Sequence, residues 1–374
     1  MEPGKRTPAQ AAEDSLDAAQ GIQLQQTSLR RLPTVKDVAA AAGVSIATVS
    51  HVLNKTRFVS GETITRVEKA VRELRYRANP VARNLRSGES RLIGYVVSNL
   101  DCFFYTDMAA GIEKTLDGTE LSPGYQLFIM DSKDSKQREI QNIESLLCRG
   151  VDGIIIAPTI TGYDFLKDML GENFPLVFVD RRPENHEADC VLLDNRKAGF
   201  EAAESLIKKG HKKIAFVTYH YGEESIDPTI RERIEGFEEA FKTAGLYLDP
   251  SLVRAVPGAS YTRASLRHGE AYRITGELLE KNIEALICGN SFAAVGAVSR
   301  VNDAGLRMPE DLALITFDDD LWMSMMSPPL TSVVQPGESM GALAAERLLA
   351  RFRERDLPYE AFRLPARINY RGSC

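Results

Sequence analysis

A chain of 374 residues is longer than one hydrophobic core usually supports, so two or three domains are expected. Its formal net charge of -6, taken alone, argues against a nucleic-acid binder. Five scattered cysteines without Cys-x-x-Cys spacing exclude a disulfide framework and read as reduced thiols of a cytoplasmic protein, and the five dispersed histidines give no metal site.

Residues 1–32 are rich in Ala, Gln, Glu and Asp and poor in β-branched and aromatic residues. They lack the basic start and apolar centre of a signal peptide and are expected to form a disordered tail. No run of about 18 apolar residues exists to span a membrane.

The stretch 33–60 reads as two short helices pivoting on Gly43. Thr34 is placed to N-cap the first, with Asp37 in the acidic place of a capping box. Val35, Val38, Ala39 and Ala42 repeat at i, i+3, i+4, i+7, an apolar stripe that must be buried. Gly43 permits the tight turn. Ser45 can cap the second helix, whose Val49, Val52 and Leu53 face inward. Ile46, Ala47, Thr48, Ser50, His51 and Asn54 are left outside. This is the shape of a DNA-reading helix-turn-helix, whose second helix meets base edges in the major groove. Ile46 and Ala47 suit thymine methyls, and His51 a purine edge. Thr34, Ser45 and Lys55 complete the candidate contacts here. Two small helices of any α domain would share the first helix's pattern.

A third helix begins after Ser60, with Ile64, Val67, Ala70, Val71 and Leu74 on one side, closing a headpiece over 33–78. In the segment 79–91, Asn79 suits an N-cap, Pro80 the first helical position and Gly88 the end. That helix spans only about two turns, below the roughly 12–15 residues an isolated helix needs, so it should order only against a surface. Arg83 and Arg86 point to phosphate, and Leu85 suits a wedge into a minor-groove base step. From 33 to 91 there are eleven basic and five acidic residues, so a headpiece of +6 rides on an acidic body.

From residue 92 onward, apolar runs at 92–97, 126–130, 153–157, 176–179, 191–193, 214–217, 285–288 and 312–317 alternate with amphipathic helices such as 139–148 and 199–208. Short strands apolar on both faces, alternating with helices, predict an α/β body of parallel sheets covered on both sides. Six runs end in polar residues: Ser98, Asp131, Asp180, Asp194, Asn290 and Asp318. In such folds ligands bind beyond the carboxyl ends of the strands, so a lined cleft is expected. There is no Gly-x-Gly-x-x-Gly after a strand, no phosphate loop and no nucleophile with a nearby base. The chain therefore reads as a binder rather than an enzyme, and no cofactor is implied. Asp, Asn, Arg and aromatic walls fit reversible recognition of a sugar-like ligand.

These segments resemble the lactose/galactose repressor (LacI/GalR) family. Residues 34–39, 43–54 and 79–88 are similar to its headpiece and hinge helix, and 49–59 is especially similar to the headpiece of the family's purine repressor. Residues 149–156, 210–217, Phe317-Asp-Asp and 327–336 are similar to signatures of its regulatory core, a fold like the periplasmic sugar-binding proteins with an effector between two lobes. The resemblance implies a homodimer on a pseudo-palindromic double-stranded DNA operator, with paired hinge helices prying open a central step and Leu85 as the wedge. It implies an N-lobe of about 92–182 plus 335–355 and a C-lobe of about 183–334 plus 356–374. Phe104 and Tyr105 match the aromatic pair after the first core strand, and Asp131, Asp180, Asp194, Arg233, Asn290 and Asp319 fall at pocket positions. Trp322 is placed to stack on a sugar face. Ser291 departs from the Asp of many relatives, which argues against a plain neutral hexose. Ile46 and Ala47 also depart from the common polar types, so the operator sequence is not implied.

The reading is a transcription regulator, a repressor, controlled by a sugar or sugar acid, with a purine as the alternative. Local alternatives stand beside it: Phe104 or Tyr105 as a core aromatic, Asp194 as a helix cap, Arg233 as a surface ion pair, Trp322 at the lobe interface. Two rival functions do too: a global regulator signalled by a protein partner, and a small-molecule binding protein whose headpiece is incidental.

Overall fold

The computed structural model describes residues 33–54, 57–76, 90–118, 124–159, 162–171, 174–183, 187–220, 227–257 and 269–374. The expected tail, Lys55, and the hinge with Arg83, Leu85 and Arg86 lie outside the described residues, as does the side chain of Asn54. The chain divides into two compact units at Gly88 and Glu89.

The first unit holds the helices Val35–Ala42, Ile46–Asn54 and Gly61–Glu73. The Asp37 carboxylate accepts from the Thr34 backbone N–H and hydroxyl, both at 2.7 Å, which fixes the first helix start. Gly43 takes the left-handed conformation (φ 63°), and its N–H closes onto the carbonyls of Ala39 and Ala40. Ser45 Oγ accepts from the Thr48 N–H at 3.1 Å and caps the second helix. Val38, Ala39, Ala42, Val49, Val67 and Ala70 form the core, with Val35, Val52, Val71 and Leu74 around it. Leu53 departs from expectation: it is 38% exposed, because a core of valines and alanines is already closed by Val49 and Val52.

The second unit holds two six-stranded sheets. The first comprises β1 (Leu92–Val97), β2 (Gln126–Asp131), β3 (Gly153–Ile156), β4 (Leu176–Val179), β5 (Asp189–Leu193) and β11 (Ala361–Leu364), in the order β11-β5-β4-β3-β1-β2. The second comprises β6 (Ile214–His220), β7 (Val253–Pro257), β8 (Ala285–Cys288), β9 (Ala313–Phe317), β10 (Thr331–Val334) and β12 (Arg367–Asn369), in the order β12-β10-β9-β8-β6-β7. Among the described residues all pairings are parallel except β10 with β12. β3, β4, β5, β8 and β9 are buried along their whole length, as helix-covered parallel strands must be.

Strand pairing corrects the expected lobe boundaries. β5 pairs with β4 (Val177 opposite Asp189) and β11 pairs with β5, so both belong to the first sheet. The chain leaves the first lobe after Leu193 rather than at 182. It returns not only for the helix Gly337–Arg353 but also for β11. Hydrophobic pattern marks a buried strand but carries nothing about which of two sheets it joins.

Each lobe is pinned by one close helix crossing made of paired glycines. A Cβ on Gly111 would lie 2.0 Å from the Glu338 carbonyl oxygen, and one on Gly341 2.0 Å from that of Met108. This packs Phe103–Asp117 against Gly337–Arg353. In the second lobe, a Cβ on Gly199 would lie 2.1 Å from Arg233 O and one on Gly236 1.9 Å from Arg196 O, packing Asn195–Lys208 against Pro228–Thr243. These crossings set where Tyr105 and Arg233 reach the space between the sheets.

Candidate functional site

On the headpiece, Ser45, Ile46 and Ala47 are exposed at the start of the second helix, Ile46 by 45%, while Thr48, Ser50 and His51 are half-buried. The Ser45 and Thr48 hydroxyls lie 2.9 Å apart, so part of their capacity is spent on the cap. Phe58, which the sequence reading passed over, is 97% exposed before the third helix. Its side chain follows no helical repeat, so no periodicity pointed to it.

A cavity of about 50 Å³ in the second unit lies beyond the carboxyl ends of strands from both sheets. β1 delivers Ser98 and Asn99, β4 delivers Asp180 and Arg181, β8 leads to Asn290, β9 to Asp318 and β10 to Gln335. Helix starts add Phe104 and Tyr105 from one lobe and Thr229, Ile230, Arg233 and Phe292 from the other. Asp180 and Asp318, at the ends of corresponding strands, both have positive φ, 66° and 70°. A non-glycine residue held there is costly, and such strain gathers at functional sites.

Polar chains organise the walls. Ser98 Oγ donates to Tyr105 OH at 2.7 Å, and Tyr105 OH donates to Asp180 Oδ2 at 2.9 Å. Arg181 Nε lies 3.4 Å from that carboxylate, and its Nη1 donates to the Pro158 carbonyl at 3.0 Å. Opposite, Arg233 donates to Asn195 Oδ1 at 2.8 Å, to the Gly289 carbonyl at 2.6 Å and to Gln335 Oε1 at 3.0 Å. Its guanidinium lies over the Phe317 ring at 4.4 Å. Gln335 in turn donates to Asp318 at 2.5 Å. Burial pushes the Asp180 carboxyl up, against the pull of Arg181 and Arg233. Burial lifts Asp134 to about 6. Asp227 is more deeply buried, but Arg181, the Thr229 hydroxyl and the Ile230 N–H outweigh burial and hold it below the usual carboxylate range.

Of the expected pocket residues, the cavity brings together Phe104, Tyr105, Asp180, Arg233 and Asn290. Asn290 is spent locally: its amide donates to Tyr219 O at 2.8 Å and its oxygen caps the helix at the Ala293 N–H. The others lie off the lining. Asp131 ends the edge strand β2 and accepts from its own turn at Lys133 N; Asp134, three residues on, lines the cavity instead. Asp194 is a helix cap, accepting from Lys197 N at 3.2 Å, while the next residue, Asn195, holds Arg233. Asp319 pairs with Arg371 and binds Ser332 and Asn369, tying down β12, while Asp318 faces the cavity. Trp322 donates to Asp320 at 3.3 Å and packs on the second lobe's core. Ser291 gives its backbone N–H to Asp318 at 2.8 Å but does not line the space. Missed in the sequence were Asp134, Arg181, Asp227 and Gln335 as lining groups, whereas Ser98 and Asp318, expected there as polar strand ends, do line the cavity. Asp227 had one visible signal, an Asp before a helix-starting proline.

Among the described residues no His, Cys, Asp and Glu cluster fits a metal ion, and no helix is long and apolar enough to cross a membrane.

Residues 34–79 match the profile of bacterial regulatory proteins of the lacI family, and residues 203–374 that of a periplasmic binding protein-like domain. The chain is 31% identical over 348 residues to the HTH-type transcriptional repressor PurR of Aliivibrio fischeri, covering 91% of this chain and 98% of that one. It is 32% identical over 347 residues to the ribose operon repressor of Escherichia coli K12, covering 92% and 100%. Among solved structures, a LacI family regulator from Enterococcus faecium with bound ribose superposes with a TM-score of 0.63 at 27% identity, covering 75% of this chain and 98% of that one.

Proposed function

Because the chain belongs to the LacI family of bacterial regulatory proteins, a family of transcription regulators and not of enzymes, we propose that it is a cytoplasmic repressor that binds a palindromic operator as a homodimer under control of a small effector in the cleft. The observation that carries the effector reading is the convergence of both lobes on one cavity, with Tyr105 and Asp180 on one side and Arg233 and Asp318 on the other. The relatives' names point to a sugar or a purine, and the polar lining favours a sugar or sugar acid.

The homodimer reading is supported by the edge strand β2, where Phe128 and Ile129 are 36% and 41% exposed. A bare apolar edge invites pairing with another chain. DNA contact is assigned to Ser45, Ile46, Ala47, Thr48, Ser50 and His51 in the major groove, with Thr34, Asn54, Lys55, Arg83 and Arg86 toward phosphate and Leu85 as the minor-groove wedge. Coupling begins where the chain enters the core. The Asp152 carboxylate accepts from the backbone N–H groups of Ser90 and Arg91, at 2.9 and 2.7 Å, which ties the start of β1 to the start of β3. A shift of the first lobe on cleft closure is thereby passed to the chain that leads from the hinge.

Selection of a duplex from a random pool, followed by anisotropy and sedimentation, tests the reading. It expects two chains per palindromic duplex. Leu85→Ala should weaken specific binding, and deletion of residues 1–91 should remove DNA binding while sparing ligand-induced thermal stabilisation. A truncated chain with every activity of the whole would leave only the rival binding-protein reading.

A further inference from the structure

The cleft is unbalanced in charge and in hydrogen-bond donors. Four carboxylates, on Asp134, Asp180, Asp227 and Asp318, face two guanidiniums, on Arg181 and Arg233. Arg233 donates through Nε, Nη1 and Nη2, and Arg181 donates through Nη1 to the Pro158 carbonyl, while its Nε lies 3.4 Å from Asp180 without a hydrogen bond. What remains over is one buried donor, Arg181 Nε, against two buried acceptors. Asp227 is only 7% exposed, and its Oδ2 has no hydrogen-bond partner; neither has Asp134 Oδ1. The other Asp227 oxygen is taken by the Thr229 hydroxyl and by the Ile230 N–H at 3.1 Å. A buried carboxylate oxygen without a donor is costly, so the ligand that completes this site must donate.

Asp134 follows the first lobe's β2 and Asp227 starts a helix of the second, and the two repel each other while Arg181 attracts both. An ammonium group offers three donors and no acceptor, and it replaces repulsion across the cleft by two attractions. A ligand carboxylate would instead add a fifth anion. Phe104 and Phe292, one from each lobe, supply apolar walls for a ring.

We infer that the effector is a polyhydroxylated ring carrying a protonated amine, of the amino-sugar class, held between Asp134 and Asp227, and not a sugar acid. This rests on the reading of the cleft as an effector site and narrows its ligand. Amine capture across the lobes also favours the closed arrangement, since the cation attracts both sides at once.

The test is titration calorimetry and thermal shift on the full chain with matched triplets: glucosamine, glucose and gluconate, then galactosamine, galactose and galactonate. The amine should bind roughly tenfold or more tightly than its hydroxyl congener, and the acid should give no shift. Asp227→Asn keeps an oxygen for the helix cap but removes a counter-charge of Arg181, so ligand-free melting should fall while the chain stays folded, and the amine's advantage should fall to about twofold. An acid or neutral sugar that binds as tightly as the amine overturns the inference, as does an advantage that survives Asp227→Asn. Ribose and hypoxanthine form a parallel arm. Binding there with none in the amine series overturns this inference and spares the effector reading, whereas no binding in any arm overturns both.

Discussion

The two lobes of the core are built alike and finished differently. Each has a six-stranded sheet with corresponding strand order, and each has a strand ending in an aspartate at positive φ, Asp180 and Asp318. Each is pinned by one glycine-on-glycine helix crossing. They differ at their margins. The first lobe leaves Phe128 and Ile129 exposed on edge strand β2, whereas the corresponding edge strand β7 keeps Val253 half-buried and Val256 buried. The first lobe buries a charge cluster, Asp189 with Arg351 at 2.5 Å and Arg347 at 2.9 Å. The second places its comparable pair, Asp319 with Arg371, nearer solvent. Likeness at the cleft and difference at the rim suggest that both lobes serve the ligand while the first alone carries a self-association edge.

The largest effect expected is one that the lobes share. Gly341→Ala and Gly236→Ala each drive a methyl into a backbone carbonyl, and each should cost about 3 kcal/mol or more by denaturant unfolding. A small cost in one lobe only would break the likeness. Next come the charge clusters, which should separate the lobes. Asp189→Asn leaves Arg351 buried without its counter-charge and should cost roughly 3–5 kcal/mol. Asp319→Asn, at a more exposed pair, should cost about 1–2 kcal/mol. Equal losses would mean that depth of burial is not what distinguishes the clusters.

At the edges, Ile129→Glu should shift the chain toward monomer in sedimentation and weaken palindromic DNA binding, while Val253→Glu should leave the dimer in place. The smallest effect is a pH dependence common to both lobes. Burial, the largest influence on each, lifts Asp134 and Asp320 to about 6. A carboxyl whose folded pKa exceeds its unfolded value binds more protons when folded. Each group therefore costs stability as pH rises from about 4 through 6, and the cost is fully present above that window. Asp134→Asn and Asp320→Asn should each raise stability at pH 7.5 by about 1–2 kcal/mol and leave it unchanged near pH 4. A gain that persists at pH 4 would assign the effect to packing.

Much of this was legible in the residues. Thr34, Asp37, Gly43 and Ser45 announce the first two helices because caps and left-handed turns are local chemistry. Runs such as 153–157 and 312–317 announce doubly covered strands because burial on both faces removes alternation. Phe104, Tyr105, Asp180, Arg233 and Asn290 were legible by number, and the rest of the site only to within a few residues. Asp319 off the lining beside the expected strand-end Asp318, Asn195 rather than Asp194, and Asp134 rather than Asp131 are differences of turn geometry after a strand. Positive φ at Asp318 re-aims its side chain, and no hydrophobic pattern records that. Lobe membership of β5 and β11 was hidden for a related reason, since pairing between distant segments leaves no mark in either one.

The central claim is that cleft occupancy and DNA binding are one coupled equilibrium. The direct measurement is operator affinity by anisotropy with and without a cleft ligand, paired with ligand affinity with and without operator, on the full chain and on Arg233→Ala. The account predicts equal factors in the two directions, as linkage requires, and an Arg233→Ala chain that keeps ligand-free operator affinity but loses the ligand's effect. A ligand that saturates the cleft and leaves operator affinity unchanged would contradict it.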